Sequence, residues 1–355
     1  MRLLAISDNY IPAEFMRRGF DCLHEQGVQV EVRSWEQPTL IDLQQANLAI
    51  EQGGPNAVAL PPELTAGIEA FEIICVQFCP LGEQVLKSAT GLKAIGVLRG
   101  GTENVAVDWA TQRGIAVLNT PGRNARAVAE CTLGLILTEV RNLARGHAAL
   151  KAGRWTREFP NRDFIPELNG RTVGLVGYGA VARLLAGYLQ ALGCRILAYD
   201  PYVQEDTSPV EMVDLERLLD QADVVSVHAR LTEATRHLIG PAELERMKPT
   251  AVLVNTARSG LVDEQALIRV LKAGRLAGAA LDVFDEEPLP DGHPLLELEN
   301  VTLVPHLAGS TIDAFLNSPH LLAQHLRRML AGEERLPIVN GVKPADELVS
   351  GTTGS

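Results

Sequence analysis

The stretch that most constrains the fold begins at Thr172, where six short apolar runs alternate with segments of helix or turn character. The runs are TVGLVG, RILAYD, DVVSVHA, AVLVNTA, AGAALDVF and VTLVPHLA. Strands that are separated by helical connections pair in parallel, because each connection has to return the chain to the same end of the sheet. The stretch therefore predicts a complete doubly wound parallel sheet of the kind that binds nucleotides.

A second series of the same kind precedes it. Five apolar runs lie in the first 120 residues, and amphipathic or less regular segments separate them; the runs are RLLAIS, VQVEVRSW, EIICVQF, LKAIGVLR and GIAVLNT. A chain of 355 residues, 46% of them hydrophobic, is long enough for two cores. We therefore predict two α/β domains with a boundary near Gly122, followed by one long helix that ends at Gly153.

Charge and cysteine content exclude several classes of function. The formal net charge of -12 disfavours nucleic acid and anionic membrane as partners, and no basic run offsets it. The start, MRLLAISDNY, has one basic residue and an apolar run of four, which is less than a signal sequence or a membrane span needs. The five scattered cysteines indicate neither a disulfide framework nor a metal site. We expect a cytoplasmic protein without a metal.

A glycine motif lies between the strand TVGLVG and the helix that follows it. Gly177, Gly179 and Ala182 give the arrangement G-x-G-x-x-A, which allows a tight turn, close approach of a pyrophosphate and close packing of helix on strand. Asp200 ends the next strand, 23 residues beyond Gly177. An acidic side chain there accepts hydrogen bonds from ribose hydroxyls and repels a 2′-phosphate, so the pattern predicts NAD. The alternative is a glycine-rich turn with a surface aspartate.

Three further strands end in side chains that suit acid-base chemistry on a carboxylate substrate. Arg258 follows AVLVNTA, Asp282 begins DVFDEEP with Glu286 and Glu287, and His306 follows VTLVP. Ligands of open α/β sheets bind beyond the carboxyl ends of the strands, where these residues lie. Each also has a simpler interpretation: a surface ion pair for Arg258, a solvated turn for the acids and a core histidine for His306.

The motifs GLVGYGAVAR, AYDP, VNTARSGLVDE, LDVFDEEPL and VPHLAGST resemble, in this order and spacing, those of the D-isomer-specific 2-hydroxyacid dehydrogenases. The resemblance extends upstream to LRGGTENVAVD and VLNTPGRNARAVAE. It implies that Arg258 binds the substrate carboxylate, that Glu287 pairs with His306, and that His306 transfers the proton. Glu286, one residue earlier, is then not catalytic.

The resemblance also implies the organisation of the chain. The expected domains are a flavodoxin-like substrate domain (residues 1–122 and 311–342) and a Rossmann NAD-binding domain inserted in it (residues 123–310), with a disordered tail (residues 343–355). A homodimer that pairs through the long helix is expected. The implied cofactor contacts are Thr102, Gly177, Gly179, Ala180, Val181, Asp200, Thr256, Arg258, Asp282, His306 and Gly309, and the implied substrate contacts are Gln77, Phe78, Arg99, Gly100, Gly101 and Arg258.

Two departures from the family pattern bear on the substrate. Gln77 and Phe78 follow the third strand where phosphoglycerate dehydrogenases have a basic residue, which disfavours a phosphorylated substrate, although Arg99 could serve one. Arg230 replaces a usual proline. We therefore expect reduction of a small 2-oxo acid such as hydroxypyruvate or glyoxylate, without a decision among them. The alternatives are an NAD-sensing corepressor-like protein and a formate dehydrogenase, which has glutamine in place of Glu287.

Overall fold

Two parallel sheets contain the strands, and each sheet belongs to its own unit of the chain. The computed structural model describes residues 1–164, 166–203 and 207–349. Contacts divide the chain into unit 1, which comprises residues 1–123 and the chain from residue 311 onward, and unit 2, residues 124–310.

Unit 1 contains a five-stranded parallel sheet in the order β2-β1-β3-β4-β5. Its strands are β1 (Arg2–Ser7), β2 (Gln29–Ser34), β3 (Ile73–Val76), β4 (Ala94–Val97) and β5 (Ala116–Asn119). Its first helices are α1 (Ala13–Phe20), α2 (Leu40–Gly53), α3 (Pro62–Thr65), α4 (Glu83–Ser88) and α5 (Val107–Gln112). This strand order is that of the flavodoxin-like doubly wound fold.

Both faces of this sheet are covered, which explains why its strands are apolar without alternation. In β3, Ile73 and Cys75 belong to one core cluster, and Ile74 and Val76 belong to the cluster on the opposite face. The segment from residue 42 to 65 contains most of α2, and Thr39 caps that helix through its Oγ1.

Unit 2 contains a seven-stranded parallel sheet in the order β12-β11-β10-β9-β6-β7-β8. Its strands are β6 (Thr172–Val176), β7 (Arg195–Tyr199), β8 (Glu211–Met212), β9 (Val224–Val227), β10 (Val252–Asn255), β11 (Gly278–Leu281) and β12 (Val301–Leu303). Its helices are α6 (Ala125–Arg141), α7 (Leu143–Lys151), α8 (Ala180–Ala191), α9 (Leu215–Gln221), α10 (Pro241–Arg246) and α11 (Glu264–Lys272). The predicted class of two doubly wound α/β sheets is thus confirmed, with the two-residue strand β8 added to the six predicted strands.

The predicted single helix from residue 125 to Gly153 is wrong, because the chain breaks it at Asn142. This residue has a φ of 56°, the left-handed conformation that asparagine tolerates better than most residues. Its side chain compensates for the break: Nδ2 donates to Oδ1 of Asn161 at 2.6 Å, and Oδ1 accepts from Nη1 of Arg145 at 3.1 Å. The break therefore separates α6 from α7.

The chain returns to unit 1 in α12 (Ile312–Leu316), α13 (Ser318–Leu330) and α14 (Asp346–Val349). In the described part of the expected tail, Leu348 is 1% exposed in a core cluster and Glu347 pairs with Lys93. A single buried leucine thus anchors α14. The rest of the predicted tail, residues 350–355, lies outside the described residues.

Candidate active site

The candidate catalytic residues follow three neighbouring strands of unit 2. In the sheet, β10 pairs with β11 and β11 with β12, with Asn255 opposite Leu281 and Leu281 opposite Leu303. Arg258, Asp282 and His306 come after these strands in the sequence. Because the strands are parallel and in register, all three residues lie at the same edge of the sheet.

His306 and Glu287 form a direct pair. Nδ1 of His306 lies 2.6 Å from Oε2 of Glu287, and the two side chains are 50% and 35% exposed. Oε1 of Glu287 accepts a hydrogen bond from the backbone N–H of Phe284 at 3.0 Å, which fixes the carboxylate. Nε2 of His306 has no hydrogen-bond partner within the described ranges. The pair thus leaves one ring nitrogen able to exchange a proton with a ligand.

Asp282 holds the turn that carries His306. Its side chain is 1% exposed, and its two carboxylate oxygens accept from the backbone N–H groups of Leu307 at 2.7 Å and Ala308 at 3.1 Å. His306 itself has a φ of 48°, an unusual conformation that these bonds help to maintain. Burial raises the pKa of the Asp282 carboxyl. Its observed contacts make it a support for His306, a role that the sequence did not suggest.

Arg258 lies in a turn that is stabilised by the side chain of Asn255. Oδ1 of Asn255 accepts from the N–H of Ala257 at 3.0 Å, and its Nδ2 donates to the carbonyl of Arg258 at 2.9 Å. Arg258 is exposed, and its Nη1 donates to the carbonyl of Ala257 at 2.7 Å. Much of the guanidinium therefore remains available for a carboxylate.

A further contact, which the sequence did not indicate, supports the turn that carries Glu287. Oε2 of Glu264 accepts from the N–H of Asp285 at 3.1 Å, and Oε1 lies 3.3 Å from Nε2 of His293. Glu264 is 7% exposed at the start of α11. No local sequence pattern indicates these contacts, because Glu264 precedes Asp285 by 21 residues and His293 follows the turn.

The glycine motif forms a turn that fits a dinucleotide. Gly177 has a φ of +91°, and a Cβ there would lie 2.5 Å from the backbone nitrogen of Ala229. Gly179 caps the N-terminus of the twelve-residue helix α8 and is exposed, with nothing within 4 Å of the position of a Cβ. The first N–H groups of a helix attract phosphate. Gly179, Ala180 and Val181 would therefore hold the pyrophosphate of NAD.

Asp200 is connected to this turn. Its Oδ2 accepts from the N–H of Tyr178 at 2.9 Å, and its Oδ1 accepts from the N–H of Tyr202 at 3.0 Å. Each carboxylate oxygen keeps acceptor capacity for a hydroxyl group. The residues present therefore fit the adenosine ribose of NAD.

The remaining cofactor candidates lie in three different settings. Thr256 is 6% exposed, and its Oγ1 lies 2.8 Å from Oγ1 of Thr132, so its hydroxyl already has a partner. Gly309 lies close to the side chain of Asn124, which leaves no space for a Cβ. Thr102, in unit 1, is partly exposed, and its carbonyl accepts from Val105.

The substrate candidates of unit 1 differ in accessibility. Phe78 is partly exposed, Gly100 is exposed and Gly101 is partly exposed. Gln77 departs from the expectation of a surface contact: it is 0% exposed, and both polar atoms of its amide are buried without a partner in the described part of the chain. The side chain of a residue that follows a strand can point to solvent or to the protein interior, and that of Gln77 lies in the interior.

Asp8, at the end of β1, is a buried carboxyl that the sequence analysis did not select. It is 1% exposed; Oδ1 accepts from the N–H groups of Tyr10 at 2.9 Å and Ile11 at 3.0 Å, and Oδ2 has no partner in the described part. Burial, opposed by these backbone hydrogen bonds, raises its pKa from 3.8 to about 6. The ionised form is therefore costly in the folded protein.

We expect Asp8→Asn to stabilise the protein at high pH. The folded state binds the proton more tightly than the unfolded state, so the wild type gains stability as the pH falls from about 7 to about 4. The variant lacks this dependence, and its advantage in free energy of unfolding should be about 2 to 3 kcal/mol larger at pH 8 than at pH 4. Urea unfolding at both values measures it. The exposed Asp108 provides the control, and an equal effect of Asp108→Asn would contradict the assignment.

The described residues contain neither a membrane-spanning helix nor a metal-binding cluster. None of the helices in the described ranges is both long and apolar enough to cross a membrane. No group of three or more His, Cys, Asp or Glu side chains within those ranges is arranged to hold a metal ion.

Comparison with known proteins agrees with the site. The profile of the D-isomer specific 2-hydroxyacid dehydrogenase, NAD binding domain, matches residues 133–308. A glyoxylate reductase of Thermofilum pendens is 41% identical over 274 residues, 76% of this chain and 80% of the relative. A D-3-phosphoglycerate dehydrogenase of Archaeoglobus fulgidus is 39% identical over 285 residues, which are 79% of this chain and 53% of the relative.

A solved structure is similar over nearly the whole chain. The NADPH-dependent glyoxylate/hydroxypyruvate reductase of Sinorhizobium meliloti is 27% identical, has a TM-score of 0.71, and aligns over 97% of this chain and 100% of its own.

The doubly wound sheet, the glycine turn and the His306–Glu287 pair define a nicotinamide-dependent oxidoreductase. The chain belongs to the D-isomer-specific 2-hydroxyacid dehydrogenase family. It is an NAD-dependent enzyme that acts on the CH–OH group of 2-hydroxy acids.

Proposed function

We propose that the enzyme reduces a small 2-oxo acid, such as hydroxypyruvate or glyoxylate, to the D-2-hydroxy acid. The observation that carries the proposal is the distance of 2.6 Å between Nδ1 of His306 and Oε2 of Glu287, which occupies Nδ1 and leaves Nε2 without a hydrogen-bond partner among the described residues. The names of the relatives support glyoxylate as one substrate, and they give no support to a corepressor-like protein.

The proposed chemistry divides among the residues of the site. NADH, when bound, supplies a hydride to C2 of the oxo acid. Arg258 holds the carboxylate, since a planar guanidinium offers two parallel donors that fix the orientation of C2. His306 donates a proton from Nε2 to the C2 oxygen as negative charge develops there. Glu287 stabilises the protonated ring and fixes its orientation through Nδ1.

Residues of unit 1 complete the proposal. The backbone N–H groups of Gly100 and Gly101 are proposed to contact the substrate carboxylate, with Phe78 and Arg99 nearby, and Thr102 is proposed to contact the cofactor. Gln77 would act only indirectly, because its side chain is buried.

A panel of 2-oxo acids tests this function. The purified enzyme is mixed with NADH and each acid (hydroxypyruvate, glyoxylate, pyruvate, 2-oxoglutarate, 3-phosphohydroxypyruvate), and the loss of NADH absorbance is followed. We expect turnover with at least one of the unphosphorylated acids. Consumption with 3-phosphohydroxypyruvate alone would contradict the proposal.

Replacing Glu287 by Gln should lower kcat for reduction of the oxo acid. The amide keeps the hydrogen bond to Nδ1 but removes the charge that stabilises the protonated imidazole. The matched control is Glu286→Gln, because Glu286 is exposed and its side chain has no hydrogen bond or ion pair with any of the described residues. Equal damage from both substitutions would show that the role of Glu287 is misassigned.

Asp200 should make the enzyme prefer NAD(H) over NADP(H). Its carboxylate would repel a 2′-phosphate, and we expect kcat/KM with NADH to exceed that with NADPH by about tenfold or more. Replacing Asp200 by Ser should narrow the difference. Equal kcat/KM values for the two cofactors in the wild type would refute this role.

Assembly and location complete the proposal. A symmetric homodimer through α6, α7 and the following segment is supported by exposed apolar side chains: Leu143 and Leu150 are each 57% exposed and Trp155 is 84% exposed. Light scattering at micromolar concentration should give twice the mass of the chain.

A location in the cytoplasm is supported by the cysteines. Those in the described part of the chain are all free, as is usual in the reducing cytoplasm.

A further inference from the structure

A continuous stack of aromatic rings and arginines lies at the carboxyl ends of the strands of unit 1. Phe315 of α12 stacks on Tyr10 with centroids 4.5 Å apart and an interplanar angle of 17°, and Tyr10 meets Phe78 edge-on at 5.9 Å. The guanidinium of Arg123 lies 4.9 Å from the ring centroid of Phe315, and that of Arg99 lies 5.3 Å from the centroid of Phe78. The stack therefore has a cation at each end.

The cation at one end is neutralised. Nη1 of Arg99 donates to Oδ1 of Asn47 at 2.8 Å, and its Nη2 contacts Oε1 of Glu51 at 3.1 Å and Oε2 of Glu103 at 2.5 Å. The side chain of Arg99 is only 11% exposed. Asn47 and these two carboxylates occupy the donors of the Arg99 guanidinium, so it has little left to offer a ligand.

The cation at the other end has no such partner. Nη1 of Arg123 donates to Oγ of Ser318 at 3.2 Å, and no carboxylate in the described ranges lies within the 4.0 Å of an ion pair. The charge of Asp8 acts on Arg123 and raises its pKa, but the two side chains form no ion pair. Oδ1 of Asp8 accepts instead from the backbone N–H groups of Tyr10 and Ile11. Burial, together with the charge of Arg99, lowers the pKa of Arg123 to about 10. The guanidinium is thus charged, oriented by its ring, and rich in unused donors.

The segment that carries Arg123 is bonded to the proposed carboxylate loop. The N–H of Thr120 donates to the carbonyl of Arg99 at 3.2 Å, and Nδ2 of Asn119 donates to the carbonyl of Gly100 at 2.6 Å. Arg123 follows three residues later. It is therefore near the loop that is proposed to contact the C1 carboxylate, on the same edge of the sheet.

We infer that Arg123 binds a second carboxylate at the far end of the substrate, so that the enzyme favours 2-oxo dicarboxylic acids over monocarboxylic acids of equal chain length. This rests on the proposed function and extends it. A planar guanidinium matches one carboxylate through two parallel hydrogen bonds. A phosphate dianion would need a second cation to balance its charge. The neighbouring Arg99 is already paired with Glu51 and Glu103, so the site suits a carboxylate better than a phosphate.

The test compares pairs of substrates that differ only in the distal group. The pairs are 2-oxosuccinate with 2-oxobutanoate and 2-oxoglutarate with 2-oxopentanoate, each assayed with NADH. In the wild type, kcat/KM for the better dicarboxylate should exceed that for its partner by about tenfold or more, and Arg123→Gln should lower this ratio by about tenfold or more. Arg123→Lys, which keeps the charge, should lower the ratio less.

The control is Arg113→Gln. Arg113 also lies over an aromatic ring, that of Trp109 at 4.8 Å, but it precedes β5 and so belongs to the opposite edge of the sheet. Its removal should leave the ratio unchanged. The inference is overturned if Arg123→Gln leaves the ratio of the two kcat/KM values unchanged. It is also overturned if Arg99→Gln lowers that ratio while Arg123→Gln does not.

A second measurement needs no variant. Succinate should inhibit the wild type at about a tenfold lower concentration than butanoate, and equal inhibition by the two acids overturns the inference. If monocarboxylic oxo acids are reduced while these comparisons fail, only the inference is wrong. If no 2-oxo acid is reduced, the proposed function itself is wrong.

Discussion

Replacing His306 by Gln should lower kcat by about a hundredfold or more while NADH binding is retained. Glutamine keeps a hydrogen-bonding group at this position, but it cannot donate a proton to the C2 oxygen. The turn itself should persist, because Asp282 bonds to the N–H groups of Leu307 and Ala308 rather than to the imidazole. Initial rates with the preferred oxo acid and a fluorescence titration with NADH measure the two effects separately.

Arg258→Lys is the companion variant. It keeps the charge but loses the two-pronged geometry, so it should raise KM for the oxo acid as well as slow the reaction. His306→Gln, by contrast, should act mainly on kcat. Full activity in the His306 variant would refute its role as proton donor.

Replacing Gly177 by Ala should abolish tight NADH binding and destabilise unit 2. The new Cβ would lie 2.5 Å from the nitrogen and 2.7 Å from the Cα of Ala229, and the φ of +91° disfavours any L side chain. Both contact atoms belong to backbone, which yields less readily than a side chain. Strain and overpacking together predict a loss of roughly 2 to 5 kcal/mol in the free energy of unfolding.

Gly187→Ala is the matched control for this substitution. Gly187 lies within α8, and nothing lies within 4 Å of the position of its Cβ. Alanine there should stabilise the helix by about 0.5 to 1 kcal/mol and leave NADH binding unchanged. Urea unfolding and NADH titration distinguish the two variants, and wild-type affinity in Gly177→Ala would contradict the proposed fit of the cofactor.

The sequence was most informative where a strand or a motif depends on residues that are adjacent in the chain. Buried parallel strands require unbroken apolar runs, so five strands of unit 1 and six of unit 2 could be recognised. The positions of Arg258, Asp282 and His306 after three such strands placed them at one edge once the strands were known to be parallel. The two-residue strand β8 is too short to leave a pattern.

Other features depend on partners that are distant in the chain. The break at Asn142 is stabilised by Asn161, and the contact between Glu264 and the N–H of Asp285 spans 21 residues. The two backbone N–H groups from which Asp282 accepts lie 25 and 26 residues beyond it in the chain. The different states of Arg99 and Arg123 follow from which carboxylates reach each guanidinium, and no local spacing encodes that.

We propose that this site reduces a 2-oxo acid by hydride transfer from NADH, with a proton from His306. The most direct measurement is a reaction of the enzyme with NADH and hydroxypyruvate, with chiral analysis of the product beside the loss of NADH absorbance. We predict one D-glycerate for each NADH consumed, and a rate lower by about a hundredfold or more in the His306→Gln variant. Formation of L-glycerate, or NADH consumption at the same rate in the variant, would contradict the account.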